Sequence, residues 1–496
     1  MVDAEPAAVS FGRRTRDLAA EKPDDIAIIF APREGADREY SWATLERRAL
    51  QIAGFLKARG VGQGDLVIVG LPNSPEHVFS TVAAWKLGAC VLPLRADLPA
   101  WERERMIEVA EPKVTLGDWP EAPPDVVSSA DLDATTDDPA EILEDCVADP
   151  ATAIASSGST GTPKIILRPG RGERAVEDLK RPYDRDPAAG ATTELIPAPL
   201  YHTNGFYLLH MALFAGDRVV LMERFDAARA ADLIESHPIV ALTMVPTMLL
   251  RMARLPDFDT RDFSRIEAVV TGGASCPDWL ARRWIERVGP QRFIFSYGST
   301  EGVGITYISG DEWLEHPGSV GTGRDTEIRI LDPQERELPT GEVGEIFMHK
   351  TDTDEPTYQY VGAAPAKQTD DGFTSIGDMG WLDADGYLYV ADRRVDMIIS
   401  GGANVFPAEV EAALLEHPGV FDAVVIGLPD PDWGQRVHAL VQPLDAAAAP
   451  SVDVLRTHCR ERLAAYKVPK AFEHVARLPR SDAGKLNRAR LVDERA

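Results

Sequence analysis

The residues best suited to chemistry form one string, Ser156-Ser157-Gly158-Ser159-Thr160-Gly161-Thr162-Pro163-Lys164. Small hydroxyl residues and glycines let backbone N–H groups approach phosphate oxygens closely, and a lysine at the end adds a point charge. A kinase-type P-loop is excluded. Counted from Gly158, that pattern needs Gly where Pro163 stands and Ser or Thr where Ile165 stands. The following Ile165-Ile166-Leu167 favours a strand, ended by Arg168-Pro169-Gly170. The string is therefore expected to join two strands and cover phosphates as a flap. A plain Ser/Gly-rich loop would share this composition, so the reading rests on the order of the nine residues.

Other positions carry chemical side chains in suggestive settings, each with an ordinary alternative. Glu301 ends Tyr297-Gly298-Ser299-Thr300-Glu301, where an isolated Glu in a turn is normally solvated. Asp378 follows Gly377, as a turn or N-cap Asp would. Gly273, Ala274 and Ser275 would serve a strand-end turn. Arg393 suits a surface ion pair, Lys485 a solvated charge near the end of the chain, and His202 a partly buried imidazole bonded to backbone.

Bulk properties exclude several classes. The 496 residues suit two or three domains. A formal net charge of −27 opposes non-specific binding to nucleic acid and docking on anionic membranes. A few local Lys and Arg can still dominate a cleft. The four cysteines, Cys90, Cys146, Cys276 and Cys459, lie far apart, which gives no support to a zinc or dithiol centre. Sparse cysteine fits a reducing compartment. The opening residues lack a basic segment followed by an apolar run, and no apolar stretch approaches the roughly 20 residues that span a bilayer. A cytoplasmic enzyme without a membrane span is expected.

The chain reads as α/β. Asp65–Pro72 as a strand, Ser74–Gly88 as a helix and Ala89–Leu94 as a strand form a βαβ unit and predict a parallel sheet. Residues 118–149, rich in Pro, Asp and Ala, predict a surface excursion. A second alternating region spans about 193–307, with strands at 218–222 and 268–271 and helices at 226–236 and 277–287. After Gly318, short strands with Gly and Pro turns predict a β subdomain. Asp392-Arg393-Arg394-Val395-Asp396 is a charged junction. Beyond it a small α+β domain is expected, with helices at 407–416 and 452–464. The expected division is a large domain, 1–392, and a small mobile one, 393–496.

The nine-residue string resembles the signature of the adenylate-forming superfamily: acyl-CoA ligases, peptide-synthetase adenylation domains and luciferases. Further motifs of that family follow in order: Tyr201-His202-Thr203-Asn204-Gly205, Thr271-Gly272-Gly273-Ala274, Tyr297–Glu301, Gly377-Asp378, Asp392-Arg393, Ser400-Gly401-Gly402, Tyr466-Lys467-Val468-Pro469 and Gly484-Lys485. The resemblance covers nearly the whole chain.

It implies ATP-dependent conversion of a carboxylic acid to acyl-AMP and pyrophosphate, then transfer to coenzyme A. A stand-alone amide synthetase, passing the acyl group to an amine, is the alternative. Two anions must meet, so a divalent cation, Mg2+, is expected, with Glu301 as ligand beside Thr300 as a phosphate donor. By the same resemblance Gly273, Ala274 and Ser275 flank adenine, and Tyr297, Gly298 and Ser299 belong to the nucleotide site. Asp378 accepts from ribose hydroxyls, and Arg393 contacts ribose and phosphate. Lys485 bridges the carboxylate and the phosphate. His202 gates the acyl pocket, and Gly401 and Gly402 line a pantetheine tunnel. Met244–Thr247 and Phe206–Leu209 would serve the acyl pocket or the core. The family's usual Asp or Lys two residues after the arginine is Val395 here, and its loop Glu is Ala403. A homodimer is the commonest assembly for such a chain.

Overall fold

The structure, a computed structural model, describes residues 8–120, 122–135, 145–157, 163–179, 191–353, 355–482 and 484–495. Two sheets flanked by helices form the large lobe. In the first, the strands Val114–Gly117, Leu66–Gly70, Cys90–Pro93 and Thr152–Ser157 lie side by side and parallel. Pro163–Arg168 and Gln359–Val361 continue the sheet antiparallel. The second sheet has nine strands. Its parallel run includes Ile26–Ala31, Arg218–Met222, Thr193–Ile196, Ala241–Met244, Ala268–Gly272 and Phe293–Gly298. These strands read as continuous apolar runs because helices cover both faces.

Helices Trp42–Ala58 and Pro75–Lys86 bury Trp42, Phe79 and Trp85 in the core that joins the two sheets. The second helix starts where local chemistry dictates: the Ser74 side chain accepts from His77 N–H, Pro75 takes the first position and Glu76 sits in the first turn. Residues 118–149 are more than a surface excursion. Trp119, Val127 and Leu132 are buried, and Ser129–Asp133 forms a short capped helix. Isolated apolar anchors in a Pro/Asp/Ala background carry no periodicity, so sequence pattern missed them. Residues 121 and 136–144 of this stretch lie outside the described residues.

After Gly318 come the β subdomain strands, Thr326–Leu331, Gly344–Lys350, Asp378–Leu382 and Leu388–Arg393 among them. The small lobe is α+β. Strands Ile398–Ser400, Ala403–Val405, Val420–Asp430, Gly434–Pro443 and Ala471–His474 form one sheet with cores of their own. Its helices are Pro407–Leu415, Val452–Arg460 and Arg488–Asp493. The helix expected over 452–464 ends at Arg460. Separate turns follow, with Leu463 N–H bonded to the Cys459 carbonyl and Lys467 N–H to the Ala464 carbonyl. No helix among the described residues is long and apolar enough to cross a membrane.

Candidate active site

Ligands of open α/β sheets bind beyond the carboxyl ends of the strands. Here those ends deliver the chemistry-bearing turns. Strand Ala268–Gly272 runs into Gly273, Ala274 and Ser275, all exposed. Strand Phe293–Gly298 runs into Ser299, Thr300 and Glu301. Thr193–Ile196 leads through a turn to His202, which begins the helix Thr203–Ala215. A Cβ on Gly205 would stand 2.3 Å from the Pro199 carbonyl oxygen, so only glycine lets this helix start press on its own lead-in turn.

One cluster centres on Asp378, which is 7% exposed. The Tyr297 hydroxyl donates to its Oδ2 at 2.7 Å, and Arg393 Nε lies 3.4 Å from Oδ1. Burial raises the carboxyl above its ordinary range; Arg393 and the Tyr297 hydroxyl oppose that shift without cancelling it. Burial and the Asp378 charge drive the Tyr297 phenol upward, so it stays a donor.

A second cluster centres on Glu301, also 7% exposed. Tyr360 donates its hydroxyl to Oε1 at 2.6 Å, and Lys164 Nζ lies 3.2 Å from the same oxygen. The Lys164 ammonium also sits 3.9 Å from the centre of the Tyr360 ring. Burial alone would raise Glu301. The Tyr360 and Lys164 contacts outweigh it and hold the carboxyl below its usual range. Oε2 has no side-chain partner among the described residues. Thr300 Oγ1 lies 2.8 Å from Thr203 Oγ1, and the Ser299 hydroxyl is buried without a partner. An ionised carboxylate oxygen in a turn that also carries the Thr300 and Ser299 hydroxyls is a donor set that fits Mg2+, which takes few protein ligands and keeps phosphate and water oxygens.

The small lobe delivers Lys485. Its loop closes on itself: Ser481 N–H donates to the Lys485 carbonyl at 2.8 Å, Gly484 N–H to the Ser481 carbonyl at 2.8 Å and Lys485 N–H to Ser481 Oγ at 3.1 Å. Arg480 anchors the loop. Its guanidinium grips Asp422 through Nε–Oδ2 at 2.6 Å and Nη2–Oδ1 at 2.9 Å, and Nη1 donates to the Gly484 carbonyl at 3.1 Å. The loop tip presses on the large lobe, where a Cβ on Gly484 would stand 2.3 Å from Thr247 Oγ1. Arg224 pairs with Asp482 at 2.7 Å, and Arg254 donates to the Phe421 carbonyl at 2.6 Å.

The Lys485 ammonium makes no ion pair among the described residues. Loss of water and then Arg393 hold it below the usual lysine range, while Glu301 pulls the other way. Lys485 nonetheless keeps more than a third of its surface open, so water in the cleft screens this depression. His202 faces the same cleft. Burial, then Lys485 and Arg95, push its imidazole down to about 3, and Nε2 is buried without a partner among the described residues. The ring is neutral.

The structure thus gathers Lys164, His202, Thr300, Glu301, Tyr297, Asp378, Arg393 and Lys485 around one cleft. Ser156 and Ser157 end the strand Thr152–Ser157, opposite Lys164 and Pro163, so the two strands expected to flank the string are present and paired. Gly158, Ser159, Thr160, Gly161 and Thr162 lie outside the described residues. Gly401 and Gly402 are not gathered in. They form the turn after Ile398–Ser400, where a Cβ on Gly401 would meet the Trp433 ring at 2.6 Å. Val395 is 70% exposed. Met244, Phe206 and Leu209 belong to the core, while Tyr207 is exposed. Sequence reasoning missed Tyr360, Arg480 and Asp422. Tyr360 carries no signal in its short strand, and only the position of Arg480 four residues before Gly484 hinted at a role.

Comparison with known proteins identifies the family. The profile of the AMP-binding enzyme family matches residues 15–353, and that of the AMP-binding enzyme C-terminal domain matches 409–485. A 2-succinylbenzoate–CoA ligase of Bacillus licheniformis is 34% identical, with 95% of this chain and 97% of the relative covered. A feruloyl-CoA synthase of an Amycolatopsis species is 33% identical over 90% of this chain and 92% of its own. The o-succinylbenzoate CoA synthetase of Bacillus subtilis, solved with its acyl-adenylate intermediate, superposes with a TM-score of 0.81 at 28% identity, covering 98% of both chains.

Proposed function

The chain belongs to the AMP-binding enzyme family, and from that premise we infer its reaction: it is an AMP-forming acid–CoA ligase. ATP activates a carboxylic acid to acyl-AMP with release of pyrophosphate, and coenzyme A then takes the acyl group and releases AMP. The observation that supports this reading is the seating of the Lys485 loop on the large lobe, with Gly484 against Thr247 and Asp482 paired to Arg224, so that the Lys485 ammonium feels the charges of Arg393 and Glu301.

The residues divide the work by charge. In the first step a carboxylate oxygen of the acid bonds to the α-phosphorus while the bond to pyrophosphate breaks. Both reactants are anions, so fixed cations at the cleft lower the barrier. Lys485 reaches in to bridge the acid carboxylate and the α-phosphate, and Lys164 with the residues 156–162 holds the departing phosphates. Thr300 donates to phosphate. Glu301 holds Mg2+, which when bound offsets phosphate charge. Asp378 accepts from the ribose hydroxyls, with Tyr297 and Arg393 fixing its orientation. Gly273, Ala274 and Ser275 flank adenine, beside Gly298 and Ser299. Neutral His202 walls the acyl side.

In the second step the coenzyme A sulfur attacks the acyl carbon and AMP leaves. The small lobe, 393–496, turns about the junction at 392/393 and withdraws Lys485. Gly401 and Gly402 then line the path of the pantetheine arm. Relatives named for 2-succinylbenzoate and ferulate support an aromatic or bulky cyclic acid as substrate. A cytoplasmic homodimer is the expected setting. An amine acceptor would use the same first step.

The test is pyrophosphate–ATP exchange across a broad acid panel, followed by product mass with coenzyme A alone and with amines alone. Exchange with at least one acid and a product heavier by coenzyme A are expected. Absence of exchange with every acid contradicts adenylation; an amide product alone replaces the acceptor.

A further inference from the structure

The acid-activating cleft contains a feature that adenylation does not use. Arg168 ends the strand Pro163–Arg168, a few residues past Lys164, and its side chain lies between two elements of the site. A Cβ on Gly302, the neighbour of Glu301, would stand 3.5 Å from Arg168 Nη2. On the other side the guanidinium lies 5.8 Å from the ring centre of Tyr207. Tyr207 stands four residues after Thr203 on the helix Thr203–Ala215, hence on the same face and roughly 6 Å further along the axis. Met211, four residues further on, continues that ridge. Thr203 is the residue hydrogen-bonded to Thr300. A molecule with its reacting carboxylate at Thr300 can therefore run along this ridge toward Arg168.

A second guanidinium converges there. Arg174 Nη1 donates to the Tyr207 hydroxyl at 3.2 Å and lies 4.0 Å from Met211 Sδ. Neither arginine forms an ion pair among the described residues. The groups that act on Arg168 are Tyr207 and the like charge of Arg174, with loss of water the largest influence and a net downward shift. In a chain with 79 acidic and 52 basic side chains, two neighbouring guanidiniums without a carboxylate among the described residues are unexpected. Partly desolvated charges are normally paired, and like charges drawn together repel unless an anion joins them.

We propose that Arg168, assisted by Arg174, binds a second anionic group on the substrate, so that the acid activated here is one carrying a further carboxylate or comparable anion about one helical turn from the reacting one. This rests on the acid–CoA ligase reading and narrows its substrate class. The anion receives the charge-assisted hydrogen bonds that Arg168 lacks, and the Tyr207 face packs against the body of the acid.

Matched pairs that differ only in the distal charge test this: adipate against monomethyl adipate, and terephthalate against monomethyl terephthalate, each assayed by pyrophosphate exchange. At least one diacid is expected to exceed its half ester in kcat/KM by tenfold or more, as a charge-assisted contact predicts. In Arg168→Met that ratio falls at least tenfold, and in Arg168→Lys part of it returns. Because the ratio is taken within one protein, losses from misfolding cancel. Half esters used as well as the diacids, or a ratio untouched by Arg168→Met, overturn the second-anion site. Activation of other acids with neither diacid turned over also overturns it and leaves adenylation standing. No exchange with any acid overturns both.

Discussion

On the large-lobe side of the cleft, the two carboxylates are already held: Asp378 by Tyr297 and by Arg393 at the junction of the lobes, Glu301 by Tyr360 and Lys164 through one of its oxygens. On the small-lobe side, Lys485 arrives with its backbone tied down and its ammonium unpaired. The difference is one of preorganisation. The large lobe holds its anions in place before any nucleotide binds. The small lobe fixes only where its cation sits, and leaves the charge for an incoming anion. Such a lysine gains most when a carboxylate and a phosphate are both present, which is the state that must react. It also costs little to withdraw, since no ion pair to the large lobe breaks at the ammonium itself. The lobes are otherwise joined by contacts such as Arg224–Asp482 and Arg254 to the Phe421 carbonyl.

The largest effect expected breaks the small-lobe side. Lys485→Ala should lower adenylation by about 100- to 1000-fold, the scale of losing one preorganised transition-state contact. Transfer to coenzyme A from supplied acyl-AMP should stay within a few-fold; stopped-flow or quenched assays of the two half-reactions separate these. Equal loss in both would erase the distinction between the lobes.

Glu301→Gln attacks the large-lobe side while keeping the size of the side chain. Adenylation should fall on the order of 100-fold, with a higher Mg2+ concentration needed for half-maximal rate. A Mg2+ titration that superposes on the parent's would remove Glu301 from metal binding.

Arg480→Met sharpens the comparison, because it leaves Lys485 in the chain and unties its loop. Arg480 and Asp422 expose only 15% and 12% of their side chains, so removing one partner strands the other. A loss of about 3 kcal/mol in stability is expected by denaturant unfolding. Adenylation should drop roughly tenfold, the scale of one hydrogen bond to a charged group, and by more than transfer does.

The pH profile should show the smaller asymmetry. Lys485 must be charged to bridge anions, so adenylation falls as pH rises through its depressed pKa. The alkaline limb should therefore lie below the ordinary lysine value of roughly 10.4, and Lys485→Arg should move it upward. Transfer should lack this limb. His202, pushed to about 3, contributes no inflection near neutrality. His202→Phe, which keeps an aromatic wall, should change adenylation less than about threefold.

How far sequence led can be judged from the same two lobes. The βαβ unit at 65–94 and the two paired strands ending at Ser157 and starting at Pro163 were legible because buried strands are apolar runs bounded by turn residues. Ordered motifs singled out Glu301, Asp378 and Lys485; the substitutions of Glu301 and Lys485 test their roles. What pattern could not supply was pairing across the chain. Tyr360 reaches Glu301 only because Gln359–Val361 adds to the edge of Pro163–Arg168, nearly 200 residues away in sequence. Arg480 finds Asp422 across 58 residues. Leu132 and Trp119, lone apolar residues in a polar stretch, revealed their core role only once neighbours surrounded them. Periodicity reports local faces; it is silent on which distant side chain meets a polar group.

The account depends most on the small lobe carrying Lys485 into the cleft for one step and out for the next. Arg224 and Asp482, in side-chain contact across the lobes, offer the direct measurement. Arg224→Cys with Asp482→Cys, joined by a short bifunctional methanethiosulfonate that spans the length of the lost Arg–Asp contact, should tie the lobes as they stand here. Pyrophosphate exchange should then persist while thioester formation from supplied acyl-AMP stops, and reduction should restore it. Unimpaired thioester formation in the fully cross-linked protein would contradict this alternation of the small lobe.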